Sequence, residues 1–239
     1  PFSWRCPNSS DGDRHHVLLL EQPIAPLRST GDLNPYVAFR KYLAWDAFAA
    51  SLGLNDEQRE AIIRRTDDAV ARIAGTGFRT TPFARNDALS KELGFTSGGG
   101  VWIKDETNNV AGSHKARHLF GELLHLVVAQ EAGVTPWKRD ADRPQLAISS
   151  CGNAAFAAAT LAKAVNWPIL VFVPENAASE LTNLLLSVDA TIVRCPRLAS
   201  DLPGDPCVHR FREAVAKGAI PFGVQGTENA WCLDGGRTI

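Results

Sequence analysis

The sequence predicts an α/β protein with an open, doubly wound parallel sheet, and three observations lead there. Between about residue 140 and residue 224, strand-like and helix-like runs alternate without a break in rhythm. The strand-like runs, residues 145–150, 169–174, 191–195 and 220–224, are almost continuously apolar, as strands covered on both faces are. Two turns rich in small polar residues, at 112–115 and 149–153, each join a strand-like run to a helix-like one, the place where open α/β sheets bind ligands.

Each element has its own grounds. Residues 1–33 scatter Pro, Gly and Asp around one apolar run, Val17 to Leu20, and read as an irregular arm with one short strand. Asn34-Pro35 opens a helical spacing through Tyr36, Phe39, Tyr42 or Leu43, Ala47 and Ala50 that ends near Gly53. Asn55 caps a second helix, with Asp56 and Glu57 in its first turn and an apolar stripe of Ala61, Ile62, Val70 and Ile73. Thr81-Pro82-Phe83 is extended, and Asp87 to Leu93 forms a short helix closed by Gly94. Ser97 to Gly100 precedes a strand instead of following one, so it is a turn and no dinucleotide loop. The strand 101–106 follows, then the Lys115 junction and a helix to about Ala132. After the strand at 145–150 come an alanine-rich helix from Asn153 to Val165, the strand 169–174, and a helix from Ala177 to Val188. The strand 191–195, a helix around 208–217 and the strand 220–224 complete the series.

Composition narrows the function. The 239 residues carry a formal net charge of −1 and no basic run, which argues against nucleic acid. No apolar run reaches the roughly 18 residues that would span a bilayer, so no membrane partner is expected. The five cysteines lack paired spacing, which points to a reducing, cytoplasmic setting. His15-His16 and the helical pair His114 and His118 lack a third ligand, so no metal is expected. There is no methionine, and Leu233 to Ile239 read as the start of a further helix; the chain reads as incomplete at both ends, at its C-terminus above all.

The chemistry concentrates in the two turns. Lys115 stands where a helix begins, among small residues and unpaired backbone N–H groups that attract anions. A lysine so placed suits a Schiff-base amine near a bound phosphate; its bland counterpart is a surface lysine in a first helical turn. Ser149, Ser150, Cys151, Gly152 and Asn153 offer two hydroxyls, an approachable backbone and an amide, a cup suited to a small carboxylate, although ordinary capping residues look the same. Cys151 has no neighbouring His in sequence and reads as an inert thiol.

Together, Gly112-Ser113-His114-Lys115 with Arg117, and the later Ser150 with Gly152-Asn153, resemble the fold-type II pyridoxal-phosphate enzymes, among them threonine synthase, threonine dehydratase and the tryptophan synthase β chain. Asn34-Pro35, Thr81-Pro82-Phe83, Lys104 with Glu106, and Gly235-Gly236-Arg237-Thr238-Ile239 are similar to further segments of that family, so that the likeness runs over residues 34–239. The resemblance implies two open doubly wound sheets with part of the large domain missing. It implies residues 1–118 as the N-terminal part of the large domain, 119–224 as a smaller βαβα domain carrying the carboxylate loop, and 225–239 as a return segment. It implies pyridoxal 5′-phosphate as cofactor, with Lys115 as the Schiff-base residue that also moves the substrate α-proton. Asn153 would bond the ring oxygen of the cofactor, Ser113 and His114 would lie beside it, and Ser149, Ser150, Cys151 and Gly152 would hold the substrate carboxylate. The implied activity is a lyase or synthase acting on a small hydroxy- or O-activated amino acid by β-elimination or β/γ-replacement, in an enzyme that is commonly a homodimer. Ala154 stands where many relatives carry Thr or His, which keeps a non-catalytic cofactor- or amino-acid-binding paralogue as the alternative.

Overall fold

The computed structural model describes residues 4–10, 12–19, 21, 26–96 and 98–239. Leu20 and Ser97, within the expected arm strand and the expected glycine turn, lie outside the described residues. Residues 17–19 form no strand; they are exposed, Leu19 most of all, and gain nothing from pairing.

The helix expected over 34–53 is three pieces: α1 (Pro35–Ala38), a 3-10 turn (Arg40–Tyr42) and α2 (Ala44–Ser51). Asn34 caps α1 by accepting the Tyr36 N–H, and the chain then leaves helical geometry at Phe39 and again at Leu43. The interruption accompanies a charge network. Arg40 is buried and donates to Asp46 at 2.8 Å, and Arg59 reaches the same carboxylate at 2.9 Å. The long helix α3 (Asp56–Ala74) has the sequence-predicted start, and Gln58 completes a capping box with Asn55. Gly75 ends it in the left-handed conformation at φ 75°.

Next, β1 (Phe83–Asn86) and β2 (Val101–Lys104) pair antiparallel, with the short helix α4 (Asp87–Glu92) between them. The helix α5 (Lys115–Glu131) then runs through the core, with 12 of its 17 residues buried. The second half alternates as expected: β3 (Leu146–Ser149), α6 (Asn153–Ala164), β4 (Ile169–Pro174), α7 (Ser179–Ser187), β5 (Thr191–Cys195), α8 (Pro206–Ala216) and β6 (Ile220–Pro221), closed by α9 (Cys232–Gly236). These four strands form one parallel sheet in the order β5-β4-β3-β6. The direction of winding therefore reverses between β3 and β6.

Alternation along the strands sorts the two faces. Ile148, Val171 and Val173 turn towards α6 and join a large cluster with Tyr36, Trp45, Ile62, Phe120, Leu124 and Phe222. Ala147, Phe172 and Cys195 turn towards α8 and pack with Cys207 and Phe211. The sheet is thus covered on both sides, which is why its strands carry almost no polar residues. The boundary at 118/119 falls inside α5, and the large cluster continues across it. No helix among the described residues is long and apolar enough to cross a membrane.

Candidate active site

Lys115 is the first residue of α5, and the turn that delivers it is locked from within. Asn109 donates its side-chain amide to the Ser113 carbonyl at 2.8 Å, and the Gly112 N–H bonds the Asn109 carbonyl at 2.8 Å. Ala111 takes φ 52° and Gly112 φ 68°, two successive left-handed residues that reverse the backbone just before the helix. Ser113 is buried and its Oγ accepts the Lys115 N–H at 3.4 Å. Val110 sits in the large cluster beside Ala154 and Ala155, so the turn before Lys115 packs directly on α6, whose first residue is Asn153.

Two residues behind the amine, Arg117 is fully buried and anchors the start of α5. Its Nε donates to Glu106 Oε2 at 2.7 Å and its Nη2 to Glu106 Oε1 at 3.1 Å and to the Arg79 carbonyl at 2.8 Å. The Thr81 hydroxyl also donates to Glu106, and Tyr36 donates its hydroxyl to the Arg117 carbonyl. Burial pushes the Glu106 carboxyl upward, but Arg117 and Thr81 outweigh it and hold the group below the ordinary glutamate value.

The other flank of α5 faces α9 across a contact that only glycines permit. A Cβ on Gly121 would lie 2.6 Å from the Gly235 nitrogen, and one on Gly235 would run into the Arg117 carbonyl. Lys115, His118, Glu122 and His125 follow one another at helical spacing along this flank. The His118 Nδ1 stands 2.9 Å from the Cys232 carbonyl. His125 stacks on Trp231 at 3.5 Å between ring centres, and burial drives its imidazole down to about 3. Glu122 is completely enclosed, and among the described residues no well-formed hydrogen bond reaches either carboxyl oxygen, although the Gly223 backbone N–H lies near enough to favour its charged form slightly. Burial holds Glu122 well above the usual carboxylate range, and burial, with Glu122 beside it, raises the Cys232 thiol.

The cup at 149–153 is distributed over two directions. Ser149 ends β3 and lines a cavity of about 150 Å³ on the α8 side, with Phe211, Arg212, Gly223 and Gln225. Ser150 is half-buried and its N–H bonds the Phe172 carbonyl, whereas Cys151, Gly152 and Asn153 are exposed. Gly152 caps α6 without a side chain, which leaves N–H groups of its first turn free for a ligand. Of the sequence-derived site residues, His114 and Lys115 are half-buried and open, and Ser113 is closed off. Arg117, Glu106, His118 and Glu122 are site neighbours to which sequence reasoning gave no role. The helical spacing of Lys115, His118 and Glu122 marks a shared flank of α5 but not what those residues meet there, and Glu106 and Arg117 lie off that stripe. His16, by contrast, meets Asp13 at 3.1 Å in the arm.

The residues present fit a carbonyl-bearing anionic cofactor: a half-exposed lysine amine with no hydrogen-bond partner among the described residues, an exposed asparagine amide, and an unspent helix start. A family model described as pyridoxal-phosphate dependent enzyme matches residues 75–239, well over half of the chain. Among solved structures, diaminopropionate ammonia lyase from Escherichia coli in complex with D-serine is similar at a TM-score of 0.54 and 16% identity, covering 75% of this chain and 46% of that one. A pyridoxal 5′-phosphate-dependent aspartate racemase is similar at a TM-score of 0.51 and 18% identity, covering 73% and 47%. The chain spans about half the length of these structures. No curated protein sequence matches it.

Proposed function

From the premise that the chain belongs to the pyridoxal-phosphate dependent enzyme family, with the fold-type II architecture, we propose that it acts on a small hydroxy- or O-activated amino acid by removing the α-proton at Lys115. The bound cofactor supplies the electron sink that makes this proton removable. Lys115 would hold the cofactor, and its amine would serve as the base for the substrate α-proton. Asn153 would bond the cofactor ring oxygen, with Ser113 and His114 in the turn that presents Lys115, and the turn from Ser149 to Gly152 would receive the substrate carboxylate through its hydroxyls and backbone N–H groups. Elimination of the β-substituent, or its replacement, completes the reaction as a lyase or synthase. An ammonia lyase and a racemase among the structural neighbours support amino-acid chemistry at this fold. The division into 1–118, 119–224 and 225–239, the cytoplasmic setting and the homodimer belong to the same proposal.

The observation that carries the reading is the placement of Lys115: first in a long buried helix, after a locked left-handed turn, and against the helix that Asn153 begins. The test is to add pyridoxal 5′-phosphate to the chain, reduce with borohydride and map the modified peptide. Modification at Lys115, abolished in Lys115→Ala, is the expected result; modification spread over surface lysines would sink it. With label at Lys115, assays on serine, threonine and their O-activated forms separate keto acid and ammonia from a replaced or inverted amino acid. Label without any turnover favours the binding paralogue that Ala154 suggests.

A further inference from the structure

A cavity of about 640 Å³ opens between residues 28–32 of the arm and the surface of α1, the 3-10 turn and α3. None of its lining residues belongs to α5, to α6 or to the turn at 149–153. The arm is pinned over it at three points. The Arg28 N–H donates to the Tyr42 hydroxyl at 2.9 Å, the Thr30 N–H to the Ala38 carbonyl at 3.1 Å, and the Gly31 N–H to Ser29 Oγ at 3.0 Å. Val37, Ala38 and Tyr42 supply its apolar lining. Cavities of roughly 300–1,000 Å³ are those that cover most of the surface of a small metabolite.

The charges around this cavity are unevenly spent. One guanidinium takes both of the acids that line it: Arg64 reaches Asp32 at 2.8 Å and Glu60 at 2.7 Å. Asp32 also accepts the Asn34 N–H at 2.8 Å. The Arg40 guanidinium, another lining group, is held by Asp46 at 2.8 Å and Asp56 at 3.4 Å, and Arg59 shares both carboxylates. Arg28 and Lys41 are different. Both side chains line the cavity, both residues are exposed, and neither cation has a hydrogen-bond or ion-pair partner among the described residues. Like charges gathered on one cavity repel each other, and an anion bound between them removes that repulsion.

We infer that this cavity is a second ligand site, for a small multiply charged anion, an organic phosphate or a polycarboxylate, held by the Arg28 guanidinium and the Lys41 ammonium. The guanidinium matches two anionic oxygens with its fork of donors, and the ammonium adds a compact point charge. Two unspent cations favour a ligand of charge −2 or more over a single carboxylate. The hold of Arg64 on Asp32 and Glu60 keeps the nearest acids from repelling it.

The test uses the full chain without cofactor, so it does not depend on chemistry at Lys115. Pyrophosphate or citrate is added at matched ionic strength, and acetylation of each lysine by acetic anhydride is read by peptide mass spectrometry. At several times its dissociation constant, pyrophosphate should slow acetylation of Lys41 about fivefold. Lys91 and Lys217, exposed and outside the cavity, should keep their rates. Arg28→Ala, which removes an exposed side chain bonded to nothing, should strip most of the protection from Lys41. Calorimetry on Arg28→Ala with Lys41→Ala should find pyrophosphate bound about tenfold more weakly or worse, the cost of losing charge-assisted contacts. Protection by pyrophosphate alone assigns the site to phosphates, and protection by citrate alone to polycarboxylates; either result supports the inference. Equal slowing at all three lysines, no slowing at Lys41, or protection of Lys115 in its place overturns it. Loss of cofactor labelling at Lys115 would sink the proposed function and leave the Lys41 result as it is.

Discussion

Arg117 and Glu106 show how much of the site rests on one pair of side chains. Both are buried, and the guanidinium donates from Nε and Nη2 to the Glu106 carboxylate and from Nη2 to the Arg79 carbonyl, with Thr81 as a second donor to Glu106. Breaking such a pair by removing one partner leaves a buried charge uncompensated, at about 3–5 kcal/mol. Arg117→Ala is therefore expected to lose about that much in urea unfolding and to loosen Lys115 two residues away. The pH sign follows from the depressed Glu106 value. The stabilisation is present above the ordinary glutamate value of 4.5 and is lost as pH falls through the lower folded value. His125 works in the same direction over a higher range. Its folded value is about 3 against an ordinary 6.5, so the unfolded chain binds the proton first and stability drains away between those limits as pH falls. His125→Phe should flatten that part of the stability-against-pH curve, and a slope unchanged by the substitution would show that another group sets it.

Glu122 and the two glycines belong to the helix pair. An enclosed carboxyl held high binds its proton in the folded state and releases it in the unfolded one, so stability falls as pH rises above 4.5. Glu122→Gln keeps the volume and removes the titration. It should flatten the fall of stability with rising pH above 4.5, as read by thermal melts along a pH series. Gly235→Ala should lower stability at every pH. Its methyl meets the Arg117 carbonyl, a backbone atom that cannot swing aside, and overpacking of this kind costs about 1–3 kcal/mol or more. The same element scale explains what the sequence revealed and what it hid. The strands at 146–149 and 169–174 were legible because strands buried on both faces leave a short, nearly continuous apolar run bounded by turn residues. The breaks at Phe39 and Leu43 were not, because the 34–53 spacing is helical throughout and the interruption accompanies Arg40 reaching Asp46 in the folded chain. Of the site, Lys115 and the 149–153 turn could be read from local pattern. His118, Glu122 and Glu106 could not, since each takes its meaning from a partner that only the fold supplies.

On the scale of the whole molecule, the large cluster ties residues from Tyr36 to Phe222 into one core. Unfolding followed at different places should then coincide, since elements that share a core melt together. Trp45 lies in α2 and Trp167 beside β4, and both are buried. Single-tryptophan variants keeping one or the other should report the same urea midpoint; two separated midpoints would mean that the halves fold apart despite their shared core. The smaller cluster under α8 offers a second check. Phe172→Ala opens a cavity there and should cost about 3–5 kcal/mol without touching cofactor labelling at Lys115, because the α8 face is the far side of the sheet from α5. The close crossing of α5 and α9 has the opposite reach. Cys232 and His118 are 114 positions apart along the chain yet joined in space. Cutting the polypeptide after residue 231 would therefore be felt first not at the new end but at Lys115, whose neighbouring imidazole would lose its anchor and swing free.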